Sequence, residues 1–151
     1  MQCANIQIIR YERKYIHRNI TRHKSSIRIT KLVPMENIPF KIYSASAGSG
    51  KTFTLVKEYL KICLSSKSPK KFVEILAITF TNKAASEMKE RIITSLKGFA
   101  NPESSEQTEK DMLNLIATET GIGAEELSKR SKIIFEAILH NYSQFSIGTI
   151  D

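Results

Sequence analysis

No stretch of this chain stays apolar for the roughly 18 residues that a helix needs to cross a bilayer. The longest run that reads as buried is only Ile75 to Ile78, so a helical membrane protein is not expected. Cysteine is scarce. Cys3 and Cys63 are the only two and match no C-x-x-C or metal-ligand spacing, which excludes a disulfide scaffold and points to a reducing compartment, here read as the cytoplasm. The three histidines (His17, His23 and His140) are scattered along the chain and form no metal-ligating cluster. Ordinary packing or surface exposure is the expectation for all five side chains.

Acid is nearly missing from the first 34 residues, where Glu12 stands alone against eight lysines and arginines. The other 117 residues carry 15 basic and 14 acidic side chains. Of the net charge of +8, +7 therefore belongs to the tail and +1 to the body, which shows no bulk basic footprint. Segment 1–34 has no helical or strand period. Three readings stay open: a basic arm for phosphates, an Arg-rich transit peptide, or a start placed upstream of the true first residue. The third, with Met35 as that residue, is preferred, because recognisable organisation begins just after it.

That organisation is α/β. A short apolar segment at Phe40–Tyr43 predicts a strand that runs into Ala45-Ser46-Ala47-Gly48-Ser49-Gly50-Lys51-Thr52. A helix follows, with Phe53, Leu55, Val56, Tyr59, Leu60, Ile62 and Leu64 giving a broad face of period 3.6. Ser65 to Lys70 breaks it as a polar loop containing Pro69. A second strand is predicted over Phe72–Thr79, its continuous apolar character fitting a strand buried on both faces. Thr81 or Asn82 can cap the next helix, with Ala85, Met88, Ile92 and Leu96 on its inner side and Glu87–Arg91 as an outer ion pair. Strand, helix, strand, helix is the grammar of a parallel sheet with crossover connections.

After Gly98 the character changes. Ser104 and Gln107 match a capping box ahead of Met112, Leu113, Leu115 and Ile116. A further helix is expected from about Ala124 to Leu139, with Leu127, Ile134 and Ile138 on one side. The pair, about 101–141, reads as a helical insertion. Ser143 to Ile147 resumes an extended pattern.

The loop before Lys51 carries the strongest chemistry. Glycines let backbone N–H groups turn inward around a phosphate without a Cβ clash. The N-terminus of the following helix adds partial positive charge at the same oxygens. Lys51 would reach the β- and γ-phosphates and the Thr52 hydroxyl a magnesium ion. Ala45 stands where the usual motif has glycine. The candidate nucleotide-binding set is Ala45, Ser46, Ala47, Gly48, Ser49, Gly50, Lys51, Thr52 and Phe53, with Lys51 and Thr52 as the catalytic pair.

Ile75-Leu76-Ala77-Ile78-Thr79-Phe80-Thr81-Asn82-Lys83-Ala84-Ala85 resembles the second motif block of UvrD/Rep-type superfamily-one DNA helicases. The loop with Ala45 in first place looks most like the helicase–nuclease branch, the RecB/AddA kind. Phe145-Ser146-Ile147-Gly148-Thr149-Ile150-Asp151 is similar to the next block, and together the three cover about residues 40–151. The resemblance implies a RecA-like P-loop domain, use of ATP and Mg²⁺, a helicase–nuclease partner subunit, and single-stranded DNA on Thr79, Phe80, Thr81 and Asn82, with Thr149 and Asp151 alongside. An aromatic face can stack on a base, while hydroxyls and amides can bind phosphates. The plainer alternative makes Phe80 a core residue and Asn82 a cap. Asp151 also resembles a magnesium-binding acid at a strand end, but Gly148 weakens that strand.

The family's Asp-Glu block, its later arginine and a glutamine motif ahead of the loop are all missing. We therefore expect an N-terminal part of an ATP-dependent DNA helicase of DNA repair or recombination, with little ATP turnover by itself. A small kinase-like P-loop enzyme and a non-hydrolysing nucleotide- or DNA-binding module are the rivals.

Overall fold

The computed structural model describes residues 7–10 and 51–149. The predicted strand at 40–43, the loop at 45–50, Ile150 and Asp151 lie outside the described residues. The elements, in order, are strand β1 (Gln7–Arg10), helix α1 (Lys51–Ser65), strand β2 (Ile75–Thr79), helix α2 (Asn82–Ala100), helix α3 (Gln107–Thr120), helix α4 (Ala124–His140) and strand β3 (Ile147–Thr149).

Helix α1 buries Leu55, Val56, Tyr59, Leu60, Cys63 and Leu64. That spacing is two adjacent rows of a 3.6-residue period, the broad face expected of a helix packed on several neighbours. Burial pushes the Cys63 thiol well above its ordinary value, so it packs as a small hydrophobe rather than reacting as a thiolate.

The strand predicted from Phe72 is shorter than its apolar run. Residues Lys71–Glu74 form a 3-10 turn and β2 begins at Ile75. Val73 N–H donates to Lys70 O at 3.0 Å, and Lys71 pairs with Glu74 at 2.5 Å. Local hydrogen bonds and an i,i+3 ion pair thus hold the turn, while Phe72 is buried without being extended. Nor is β2 buried on both faces. Ile75, Ala77 and Thr79 point inward, whereas Leu76 is exposed and Ile78 half-buried.

The sheet is mixed, in the order β1-β2-β3. Strands β2 and β3 are parallel, with Ala77, Ile78 and Thr79 opposite Ile147, Gly148 and Thr149. Parallel neighbours need a long crossover, here α2, α3 and α4. β1 is antiparallel to β2, with Gln7 opposite Ile78 and Arg10 opposite Ile75. The basic tail thus contributes a strand that its sequence did not announce.

Helix α2 carries Ala85, Met88, Ile92, Ser95, Leu96 and Phe99 into the core and packs on β2, β3 and the other three helices. Its outer ion pair is Lys83–Glu87 at 4.0 Å instead of Glu87–Arg91. Helix α3 starts two residues later than the capping box implies. Glu106 is the N-cap and makes no side-chain cap bond, while Gln107 donates to Asp111 and the Ser104 hydroxyl turns back to Asn101 O. Met112, Leu113 and Ile116 are buried and Leu115 is exposed. Helix α4 buries Leu127, Ser131, Ile134 and Ile138. Tyr142–Gln144 then form a 3-10 turn where extension was expected, and β3 starts only at Ile147.

Gly121 ends α3 in the left-handed region, φ 69°, with its N–H donating to Ala117 O. A Cβ there would meet no neighbour within 4 Å, so only backbone strain opposes substitution. Gly121→Ala is expected to cost about 1 kcal/mol, read as a lowered midpoint in thermal unfolding.

Candidate functional site

Two ends of the fold bear on the predicted chemistry. The first is the start of α1. Lys51 opens the helix and Thr52, half-buried, follows it. No acidic residue sits in the first turn, so none within that turn offsets the positive end of the helix dipole. The nearest acid along α1, Glu58, is bound by Lys61 at 2.7 Å. An anionic triphosphate fits such an end, and a hydroxyl at Thr52 is a suitable oxygen donor for a hard cation such as Mg²⁺. Phe53 is half-buried and packs against the core.

The second is the carboxyl end of the parallel pair β2/β3. The buried Thr79 hydroxyl donates to Thr81 O at 2.9 Å. Thr81 is the N-cap of α2, in extended backbone, its hydroxyl accepting from Ala84 N–H at 3.1 Å. Ala85 N–H donates to the same Thr81 carbonyl that Thr79 engages. These three bonds fix a two-residue connection from strand to helix. Between them Phe80 follows the alternation of β2 on to the face of Leu76 and Ile78, and it stands 58% exposed.

Phe80 is therefore not a core residue, and the cap is Thr81 rather than Asn82. The Asn82 side chain is exposed, and its Oδ1 accepts from the Thr149 hydroxyl at 3.3 Å, across from α2 to β3. Lys83 extends into solvent beside it. Thr79, Phe80, Thr81, Asn82 and Thr149 thus converge on one edge, with an aromatic face, hydroxyls, an amide and the N-terminus of a 19-residue helix. Asp151, grouped with them in the sequence, lies outside the described residues, as do Ala45 to Gly50.

The model of the UvrD/REP helicase N-terminal domain matches residues 30–150, and the chain belongs to that family. Among individual relatives, it is 53% identical over 51 residues to an ATP-dependent helicase/nuclease subunit of Clostridium novyi (strain NT), a match covering 34% of this chain and 4% of that protein. It is 44% identical over 78 residues to the protein of the same name from Lactobacillus acidophilus, covering 51% of this chain and 6% of the other. A third of that name, from Clostridium perfringens (strain ATCC 13124), is 39% identical over 72 residues, covering 47% and 6%. The chain therefore spans only a small part of the length of the relatives it matches. No solved structure matches.

One group of charged side chains had no signal in the sequence. Glu119, in the last turn of α3, accepts from both Lys57 and Lys61 of α1. Lys57 and Lys61 are an i,i+4 pair and legible as such, but their partner lies 58 residues beyond Lys61. Hydrogen bonds from Lys57 and Lys61 hold the Glu119 carboxyl down to about 2 from its ordinary 4.5. Burial opposes the charge of Lys61, yet hydrogen bonds to Glu119 and Glu58 outweigh it and raise its pKa. With a depressed carboxylate, the stabilisation is complete above about pH 4.5 and is lost as pH falls toward 2.

Proposed function

We propose that this chain carries the nucleotide- and single-stranded-DNA-binding segment of an ATP-dependent DNA helicase of the helicase–nuclease kind, built on a RecA-like P-loop domain over residues 35–151. In this reading the backbone N–H groups of Ala45–Gly50 and the start of α1 enclose the triphosphate. Lys51 neutralises its β- and γ-oxygens, and the Thr52 hydroxyl holds magnesium. When bound, magnesium supplies charge neutralisation at the phosphoryl oxygens. The edge Phe80, Thr81, Asn82 and Thr149 takes the unpaired strand, Phe80 by stacking and the start of α2 by attracting phosphate, with Asp151 two residues beyond Thr149. Thr79, buried and bonded to Thr81 O, holds the edge in place instead of meeting the strand.

Nucleotide binding and single-stranded-DNA binding are the roles assigned to the residues named here. Translocation, repair or recombination, a cytoplasmic setting and a partner subunit belong to the proposal for the whole protein. Helices α3 and α4 would be an insertion in the motor domain, and 1–34 a basic extension. No helix among the described residues is long and apolar enough to cross a membrane. Family membership favours this reading over a small kinase-like enzyme.

The observation that carries it is Phe80, a large aromatic left exposed at a strand end whose neighbours are hydrogen-bonded into place. Its removal costs little burial, so stability should hardly change. Phe80→Ala is expected to weaken binding of fluorescein-labelled oligo(dT) at least about fivefold, the loss of roughly 1 kcal/mol at one stacked base. Fluorescence anisotropy at fixed salt reads this. Unchanged affinity with an unchanged melting temperature would remove Phe80 from the interface.

A further inference from the structure

Helix α1 is held at its far end by both helices that follow α2. Lys57 and Lys61, one turn apart on α1, each bind one carboxylate oxygen of Glu119: Lys57 Nζ takes Oε1, and Lys61 Nζ takes Oε2 at 2.6 Å. Glu58 Oε1 lies 2.7 Å from Lys61 Nζ and 3.6 Å from Lys57 Nζ. Two cations and two anions thus form a balanced, partly buried group between α1 and α3. A turn further on, Arg130 of α4 donates through Nη1 to Leu64 O at 2.9 Å, while its Nε donates to Glu126 at 2.8 Å. Leu64 O is among the last carbonyls of α1, which have no partner within the helix, and a guanidinium there complements the negative end of its dipole.

The geometry constrains position more than it adds stability. A carboxylate that spans two lysines one turn apart fixes α1 in rotation and in translation along its axis, because a slip of one residue moves each lysine by about 100° and about 1.5 Å. Ion pairs that are partly solvated contribute little net stability. The apolar face of α1 already supplies the burial that holds it in the core.

We infer that Glu119 and Arg130 are positioning residues that lock the nucleotide helix α1 to α3 and α4, so that MgATP at the N-terminus of α1 is felt in the helical pair. This rests on the nucleotide reading of Lys51 and Thr52. A rigid α1 gripped at one end by phosphate and at the other by Glu119 and Arg130 links two places about ten residues apart along one rod, roughly 15 Å.

The test is hydrogen–deuterium exchange of the full 151-residue chain with and without saturating MgATP. The expected result is slowed exchange in 45–58 and also in the last turns of α3 and the middle of α4. Glu119→Gln keeps the isosteric side chain but not the charge. It should retain protection in 45–58, lose it at the end of α3, and weaken MgATP about fivefold, the lower end of common site-to-site couplings. Reversing the whole group with Glu119→Lys, Glu58→Lys, Lys57→Glu and Lys61→Glu keeps it balanced and should restore both, which a loss of folding could not do. Remote protection that persists in Glu119→Gln, or a reversed group that restores nothing, overturns the inference while leaving nucleotide binding intact. If MgATP fails to protect 45–58 in the unaltered chain, the nucleotide reading falls, and the coupling falls with it.

Discussion

Phe145→Ala is expected to lower the unfolding free energy by about 3–5 kcal/mol, the range for truncating a fully packed phenylalanine. Phe145 is 3% exposed and meets three aromatic rings edge-on: Tyr59 at 5.9 Å, Phe72 at 6.4 Å and Tyr142 at 6.1 Å between centroids. Those rings belong to α1, to the turn before β2 and to the turn after α4, so one side chain joins three separate chain segments. Edge-to-face pairs add about 0.5–1.5 kcal/mol each beyond their buried area. Little can collapse into the space, because Tyr59 and Phe72 are themselves anchored in elements on either side.

The loss should appear in urea denaturation as a lower midpoint at an unchanged slope, as for a change in stability without a change in surface exposed. A cost below about 1 kcal/mol would mean that β3 is not tied to α1 through this ring. Phe80→Ala offers the contrast within one protein. It removes a ring of the same size that contributes to an exposed edge, so the two substitutions should separate folding from binding.

Helix periods were legible wherever a helix buries a broad face. The inner residues of α1, α2 and α4 could be picked from spacing, as could Thr81 as one of two caps, because both signals are local. The misreadings are of one kind. Phe72 and Val73 continue the apolar run of β2, and nothing in residue type says that a Lys71–Glu74 pair and local turn bonds will curl them into a 3-10 turn. Ser104 and Gln107 had the right spacing for a capping box, yet the helix starts at Gln107 itself. β1 is a short strand whose partners lie far along the chain, Gln7 against Ile78 and Arg10 against Ile75, a non-local choice that no short window contains.

The same holds for the candidate site. Its residues could be grouped from motif blocks, but that Phe80 faces solvent follows from the Thr79–Thr81 hydrogen bond and the strand alternation acting together. The tie from Glu119 to Lys57 and Lys61 depends on how α3 crosses α1, which only tertiary packing decides.

Lys51→Ala is expected to weaken MgATP binding about 10- to 100-fold, since a hydrogen bond between charged groups contributes roughly 1.5–3 kcal/mol. The substitution is unusually clean with respect to folding. Lys51 is the first residue of α1, alanine is at least as good a helix former as lysine, and removing a cation from a helix N-terminus relieves an unfavourable interaction with its dipole. The variant should therefore melt no lower than the parent chain, and its affinity for oligo(dT) without nucleotide should be unchanged. Isothermal titration with MgATP reads the affinity, and exchange protection in 45–52 reads its location. Raising ionic strength should weaken the parent chain more than the variant, because the lost contact is a charge-to-charge one and salt screens it. A variant that binds MgATP as tightly as the parent, at any salt, would mean that the ammonium of Lys51 does not meet the phosphates, and the small-residue loop before it would then be a turn and nothing more.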